Sequence, residues 1–351
     1  MLQTVLPAYG ISDKTLEVET FGSGLINRTW KITEGGKSYI LQRVNHAIFK
    51  EPTDIANNIS LIAEHLKKNH PDYTFIAPIQ SLRGEEMIYQ TDQGFYRLFP
   101  FVTGSHSKDV VETPAQAFEA ATQFGRFTHL LRGIDIQKLK ITIPCFHDLT
   151  LRYQQFLRAL EKGNRQRILD AADLISMVIA HTDIVTEYGR IRENPEFRLR
   201  VTHHDTKISN VLFDKHGKGI CVIDLDTVMP GYFISDVGDM MRTYLSPVSE
   251  EEKETEKIKV RTEFYRAIVN GYYGEMKEEL TATEKKYFFY AGSFMIYMQA
   301  LRFLTDFLCD DIYYGEKYPR HNFIRARNQL VLLEKLMEKK QELEAESLLL
   351  T

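Results

Sequence analysis

Residues 201–240, VTHHDTKISNVLFDKHGKGICVIDLDTVMPGYFISDVGDM, constrain this chain more than any other stretch. They carry His203-x-Asp205-x-Lys207-x-x-Asn210, then an apolar hairpin pattern, then Val222-Ile223-Asp224. Taken singly, His203 and Asp205 also suit a hydrogen-bonded turn before a strand, and Asp224 a turn after one. The joint spacing narrows the choice. Asp, Lys and Asn fall at relative positions 0, +2 and +5, and a further Asp ends the Ile-Cys-Val-Ile strand that follows.

Moving a phosphoryl group from a nucleotide to a hydroxyl asks for little covalent chemistry from a protein. It needs a carboxylate to accept the hydroxyl proton, two oxygen ligands for Mg²⁺, and positive charge near the moving group. Asp205, the pair Asn210 and Asp224, and Lys207 supply these parts in that order. A catalytic loop followed by a hairpin that delivers a second Asp is the kinase arrangement, with Asp224 where protein kinases carry the Asp of DFG.

The rest of the chain divides by pattern. Its 351 residues are enough for about two domains of ordinary size. Short alternating strands are expected at 16–20, 29–33, 38–44, 87–91 and 95–100, with Glu34-Gly35-Gly36-Lys37 as a tight turn. A helix is expected from an N-cap at Thr53 to about Lys68, before His70-Pro71. From about Thr113 the apolar spacing turns helical, over 115–131, 149–160, 168–188, 263–273, 284–309 and 323–344, with a solvated helix start at 251–260. The expected fold is α+β: residues 1–102 form a small five-stranded antiparallel lobe with one helix that covers the nucleotide. Residues 103–351 form a larger, mainly helical catalytic and substrate lobe, and 99–104 is the hinge between them, with Phe101 at the nucleotide.

Composition excludes other classes. Net charge is −4, so there is no basic footprint for nucleic acid. The most apolar stretch, 287–301, is shorter than the roughly 20 residues of a membrane span. The N-terminus lacks a basic n-region and a long apolar core, and the three cysteines read as buried thiols of a reducing compartment, so a cytoplasmic protein is expected. No histidines stand at metal-ligand spacing, and no repeat of 20–50 residues occurs.

Between the first two strands lies Phe21-Gly22-Ser23-Gly24-Leu25-Ile26-Asn27. Gly22, Ser23 and Gly24 let backbone N–H groups approach phosphate oxygens, and Asn27 accepts left-handed geometry. The third strand should present a cation to the phosphates. Strand alternation puts Gln42 and Arg43 on opposite faces and leaves both candidates. Asn57 and Asn58 stand where kinases carry a Glu, so Arg43 or a neutral Gln–Asn hydrogen bond is expected in place of the usual ion pair.

The strings 41–45 (LQRVN), 203–211 (HHDTKISNV), 222–231 (VIDLDTVMPG) and 302–306 (RFLTD) make the chain resemble the aminoglycoside phosphotransferase and choline kinase group, over roughly 15–335. The resemblance implies a protein-kinase-like bilobal fold and ATP- and Mg²⁺-dependent phosphorylation of a small acceptor. The anomeric hydroxyl of an N-acetylhexosamine, GlcNAc or GalNAc, is the acceptor it implies. It also implies that Asp236 holds the catalytic loop through hydrogen bonds, with His203 as further support. A neutral sugar needs convergent polar groups and an aromatic face. Arg302 and Asp306 share one helical face, and Tyr313 follows; spacing alone would read the pair as a surface ion bridge, and the resemblance makes Arg302, Asp306 and Tyr313 sugar contacts. The segment 143–148 either walls that site or leads into a helix capped by Asp148. The expected partners are a sugar and a nucleotide, with the chain a monomer or weak dimer and neither nucleic acid nor membrane involved. Two alternatives remain: another acceptor (choline, an aminoglycoside, homoserine or methylthioribose), or a catalytically dead nucleotide binder.

Overall fold

The computed structural model describes residues 2–11, 16–22 and 26–348. The chain forms two compact units. The first takes residues 1–107, 130–144 and 211–230; the second takes 108–129, 145–210 and 231–351.

The first unit is built on an antiparallel five-stranded sheet of β1 (Glu17–Thr20), β2 (Arg28–Glu34), β3 (Lys37–Arg43), β4 (Ile88–Gln90) and β5 (Gly94–Pro100), in the order β1-β2-β3-β5-β4. Gly35 and Gly36, both at positive φ, turn β2 into β3, a conformation that two-residue hairpins require and L side chains resist. One face carries Trp30, Ile32, Leu41, Tyr96 and Leu98, packed against Val5, Leu6, Tyr9 and Ile11. These last belong to a short helix α1 (Leu2–Val5) and the turns after it, and the Tyr9 hydroxyl donates to the Tyr96 carbonyl at 3.1 Å. Sequence pattern gave no sign of this covering, because pieces of four residues are too short to show a period.

Helix α2 (Pro52–Asn69) buries Ile55, Ile59, Ile62 and Leu66 along one stripe. It starts at Pro52, whose missing N–H costs nothing in the first turn, and no side chain caps it; the expected cap at Thr53 is instead a helical residue. The same unit holds the hairpin Val211–Phe213 and Gly219–Val222.

The second unit is helical. It contains α3 (Pro114–Leu130, apart from its last residue), α4 (Leu149–Lys162), α5 (Arg165–Asp170), α6 (Ala172–Ala180), α7 (Thr182–Glu193), α8 (Phe233–Tyr244), α9 (Thr262–Met276), α10 (Phe288–Leu308), α11 (His321–Met337) and α12 (Lys340–Leu348). Nearly every residue of α10 is buried, against α8, α11 and α4, so this long apolar helix is the core and no helix among the described residues is apolar enough to cross a membrane. Four expectations fail here, the first being the helix expected over 323–344, which ends at Met337 before a separate helix begins at Lys340. The helix expected over 168–188 breaks at Ala171 and His181, whose ψ angles of 16° and 27° leave the helical region. The helix start expected over 251–260 is a turn and one 3₁₀ segment, Thr255–Lys257. Cys145, read as buried, is exposed; Cys221 is the buried thiol.

Candidate active site

The loop after the strand Arg200–Thr202 carries Asp205. It is held from below by α8. Asp236, fully buried, accepts the N–H of His203 at 2.9 Å and of His204 at 2.7 Å. Asp239, one turn on, accepts the N–H of Thr206 at 2.8 Å and is itself bridged by Arg242. The Tyr244 hydroxyl donates to the Thr206 carbonyl at 2.6 Å. Burial pushes the Asp236 carboxyl up to about 7; the two backbone N–H bonds oppose that rise and the nearby Asp239 adds to it. The His203 ring lies edge-on to Phe124, 5.1 Å between centroids. His204 sits at φ 65°, an unusual left-handed position for a residue with a bulky side chain. Gly231 lies against it: a Cβ there would reach Thr202 Oγ1 and come within 2.5 Å of the His204 ring.

Along the loop the three expected polar groups converge. Lys207 Nζ is 3.2 Å from the Asp205 carboxylate, and Asn210 donates to the Asp205 carbonyl at 2.8 Å and its carboxylate at 3.1 Å. With its NH₂ so directed, the planar amide of Asn210 turns its oxygen the other way. Asn210 is bonded to Val211, which pairs with Val222 across the hairpin of the first unit, and Asp224 follows that pair by two residues. Asp224 is at φ 60°, a left-handed position that Asp tolerates better than most residues. An amide oxygen and a carboxylate are hard donors of the kind Mg²⁺ takes when phosphates complete its shell. Among the described residues no cluster of three or more His, Cys, Asp or Glu could hold a metal alone, and a phosphate-bridged ion does not need one.

The part of the first unit expected to meet a nucleotide is arranged differently from the sequence reading. Ser23 and Gly24 lie outside the described residues; Gly22 is at φ 79° with open space where a Cβ would sit. Asn27 donates to the Asp226 carboxylate at 2.7 Å and accepts the Asn45 N–H at 3.0 Å. Phe101 meets Phe21 edge-on, 6.0 Å apart, with Lys31 Nζ 5.1 Å from its ring centre. Gln42 lies on the sheet face opposite the Leu41 and Tyr96 core, while Arg43 shares the core-packed face with Leu41 and Tyr39. Yet Gln42 is neutral. The cation in its row is Arg97 of β5, its direct cross-strand partner, with Nε 3.1 Å and Nη2 2.8 Å from Gln42 Oε1. The Gln–Asn hydrogen bond is not formed, because Gln42 is taken by Arg97 and Thr29. Asn58 turns instead to backbone: it donates to the carbonyls of Lys140 (2.8 Å) and Val228 (3.0 Å) and accepts the Lys140 N–H at 2.8 Å. Asn57 donates to the Lys138 carbonyl.

A second cluster in the helical unit adjoins His204. Its Nδ1 is 3.2 Å from that of His147, and His147 stacks on Phe146 at 4.4 Å. Arg302 lies 5.5 Å from the Phe146 ring centre, 5.9 Å from that of Tyr313 and 5.4 Å from that of Tyr314. So contacts run unbroken from the neighbour of Asp205 to Arg302 and Tyr313. The Arg302–Asp306 ion bridge is not made; Arg302 donates to Gln299. Asp306, expected on the sugar, is buried and accepts the N–H groups of Tyr313 (2.7 Å) and Tyr314 (2.8 Å), which fixes their loop. His147 is driven well below its ordinary value by burial first, then by the positive field of His204, Arg302, Arg242 and Arg152.

A sequence profile of the phosphotransferase enzyme family (APH) matches residues 17–273, well over half of the chain. The chain belongs to that family. Solved structures share its fold at low identity. An aminoglycoside phosphotransferase from Alicyclobacillus acidocaldarius is 14% identical with a TM-score of 0.64, covering 98% of this chain and 96% of that one. An amicoumacin kinase in complex with AMP-PNP and Ca²⁺ is 17% identical with a TM-score of 0.64, over 95% and 92%. A microcompartment-associated aminopropanol kinase is 16% identical with a TM-score of 0.63, over 100% and 99%. This phosphotransferase thus has a kinase-like fold, α+β with a five-stranded antiparallel sheet and a mainly helical larger part, and is a small-molecule kinase acting on an alcohol acceptor.

The family motif did not point to Arg97, Asp226, Asp239, Phe146 or His147. Asp239 had a signal, the i, i+3 spacing of Ser235-Asp236-Val237-Gly238-Asp239 that puts both carboxylates on one helical face. In the segment 143–148, Asp148 caps α4 by accepting the Leu151 N–H at 3.0 Å, and Phe146 and His147 pack against one another beside His204 and Arg302.

Proposed function

We propose that this phosphotransferase is an N-acetylhexosamine 1-kinase that moves the γ-phosphoryl group of ATP to the anomeric hydroxyl of GlcNAc or GalNAc. The observation that carries the choice of a neutral acceptor is the charge around the Phe146–Tyr313–Tyr314 cluster. Arg302 stands within it, and Arg152 is close enough that the Arg302 charge, after burial, lowers its pKa. The carboxylates that would suit choline or an aminoglycoside are committed elsewhere: Asp306 to backbone N–H groups, Asp311 to Arg167 and Asn322, Asp310 to Asn164. A cationic acceptor would meet repulsion there, whereas a neutral sugar finds aromatic faces and guanidinium donors.

In this reading Asp205 takes the proton of the anomeric hydroxyl as its oxygen bonds to the γ-phosphorus, and the bond from that phosphorus to the β-bridging oxygen breaks to release ADP. Asn210 and Asp224 would hold Mg²⁺, whose charge supports the phosphates; Lys207 offsets charge on the transferred group. Transfer is direct, since the motif positions no Ser, Cys or His nucleophile. Gly22, Asn27 and Phe101 line the nucleotide side. Arg302 and Tyr313 bind the sugar, and Asp306 supports their loop. The test is a coupled ADP-release assay over GlcNAc, GalNAc, choline and kanamycin, with phosphorus NMR of the product. Turnover confined to the two sugars, with phosphate on the anomeric oxygen, is expected. Preferential turnover of choline or kanamycin refutes the acceptor, and no turnover with any of them returns the chain to a nucleotide-binding role.

A further inference from the structure

The kinase reading leaves a position vacant: β3 offers Gln42 where a phosphate-facing cation is expected. The row Thr29–Gln42–Arg97 crosses the sheet on the face opposite the Tyr96 and Leu98 core. Arg97 is only 1% exposed, an unusual place for a guanidinium. Its Nη2 lies 2.5 Å from Asp226, two residues beyond Asp224, and Asp226 is tied by Asn27 to the end of the glycine turn. Arg97 is therefore placed between the segment expected at the phosphates and the segment expected at the metal. Its bonds do not account for all of it. Among the described residues Nη1 is buried with no hydrogen-bond partner, and the Asp226 oxygen nearest Arg97 is buried without a well-aligned one. Native proteins rarely leave a buried donor unpaired, and an absent ligand is one cause.

We propose that Arg97 is the phosphate-binding cation of the nucleotide site, held in place by Gln42 and by an ion pair with Asp226. The pair that kinases form between a β3 Lys and a helix Glu is here moved to β5 and the segment after Asp224. Asn58, relieved of that role, fastens α2 to the backbone at 140 and 228. Nη1 is then the atom that donates to an α- or β-phosphate oxygen. Arg suits this task, since its fork can keep Gln42 and Asp226 on two nitrogens while a third reaches an anion.

The proposal rests on the kinase reading, and ADP binding measured without turnover separates the two. Calorimetric titration with ADP in EDTA keeps metal ligation out of the result. Arg97→Met should weaken ADP binding at least tenfold. Asp226→Asn, which keeps the cation and leaves an amide oxygen to hold it, should weaken ADP binding clearly less than Arg97→Met does. Should Arg97→Met fail to fold for want of a partner to Asp226, the double variant Arg97→Met/Asp226→Asn carries no orphan charge and should show the same tenfold loss. Adding Gln42→Lys to the double variant should restore binding, because it returns a cation to the same row. Equal losses in the two single variants would mean a merely structural pair and overturn the assignment, as would unchanged affinity in Arg97→Met or in the double variant. A wild-type chain that binds no ADP, with or without Mg²⁺, would refute the kinase reading itself.

Discussion

Replacing Asp236 by Asn should make the protein more stable relative to wild type as pH rises, and a poorer enzyme at the same time. The carboxyl is fully buried and its pKa is raised from 3.8 to about 7, chiefly by loss of solvent. A carboxyl with a raised native pKa binds its proton more tightly in the folded state. Its contribution to stability is therefore complete below pH 3.8 and is lost as pH climbs through 7. The shift of about 3 units corresponds to about 4 kcal/mol between those limits, as an order of magnitude. Asn has no charge to desolvate and lacks this slope. Melting temperatures of the two proteins should thus diverge in favour of the variant between pH 5 and pH 8, by a few degrees at about 1.4 °C per kcal/mol for a chain of 351 residues. Turnover should move the other way. Asn can accept one of the two N–H groups of His203 and His204 but sets its NH₂ against the other, so the peptide leading to Asp205 loses a fixed position. A displacement of about 1 Å at a reacting group costs roughly 100-fold in rate. A melting difference that does not change between pH 5 and pH 8 would show that Asp236 titrates normally and refute the reasoning. Unchanged kcat would show that the two hydrogen bonds do not position the loop.

Asp205→Asn should lower kcat about 10³-fold or more while calorimetric ADP affinity stays within a few-fold of wild type, because only the proton acceptor is lost. Asn58→Leu removes two part-buried hydrogen bonds to Lys140 and a buried one to the Val228 carbonyl; at about 1 kcal/mol each, Tm should fall by about 4 °C, read by calorimetry. Arg302→Met should raise the KM for the sugar about tenfold to a hundredfold and leave the KM for ATP within twofold, measured in the same coupled assay.

The sheet, α2 and most helices were legible because each presents its period over enough residues. The convergence of Asp205, Lys207 and Asn210 was legible because their spacing is short and local. What escaped depends on distant chain. The pattern over 168–188 keeps its apolar spacing straight through Ala171 and His181, so nothing local marks the breaks. Residues 251–260 have helix-forming composition, yet Asn328 donates to the carbonyls of Ser249 and Glu252, and Ile258 and Val260 bury their side chains. Tertiary contacts outweigh a local preference of a few tenths of a kcal/mol per residue. Arg97 could not be read from Phe95-Tyr96-Arg97-Leu98-Phe99-Pro100, where an alternating strand would place an Arg toward solvent. Only the register that sets it opposite Gln42, and a carboxylate more than a hundred residues downstream, explain its burial.

Several features of the two units are costly for folding alone. Arg97 and Asp226 are both buried, and such a pair is often no more stable than apolar side chains of the same size. Asp236 is buried where its ionised form is disfavoured, and Asp239 shares its helix one turn away with Arg242 across it. His204 and Asp224 both hold left-handed backbone without being Gly, at a cost of the order of 1 kcal/mol each. These costs are not scattered. Each falls on a residue that touches, or lies within two positions of, Asp205, Asn210 or Asp224, or that contacts such a residue. A chain shaped only for stability would have apolar side chains at 97, 226 and 236. Arg97 and Asp226 lie beside Asp224 in the first unit, and Asp236 holds the loop of Asp205 in the second; polar groups fixed before a reaction need not reorganise during it. The same reasoning explains why variants that relieve these costs should gain stability and lose turnover together, whereas substitutions in the α10 core should lose both.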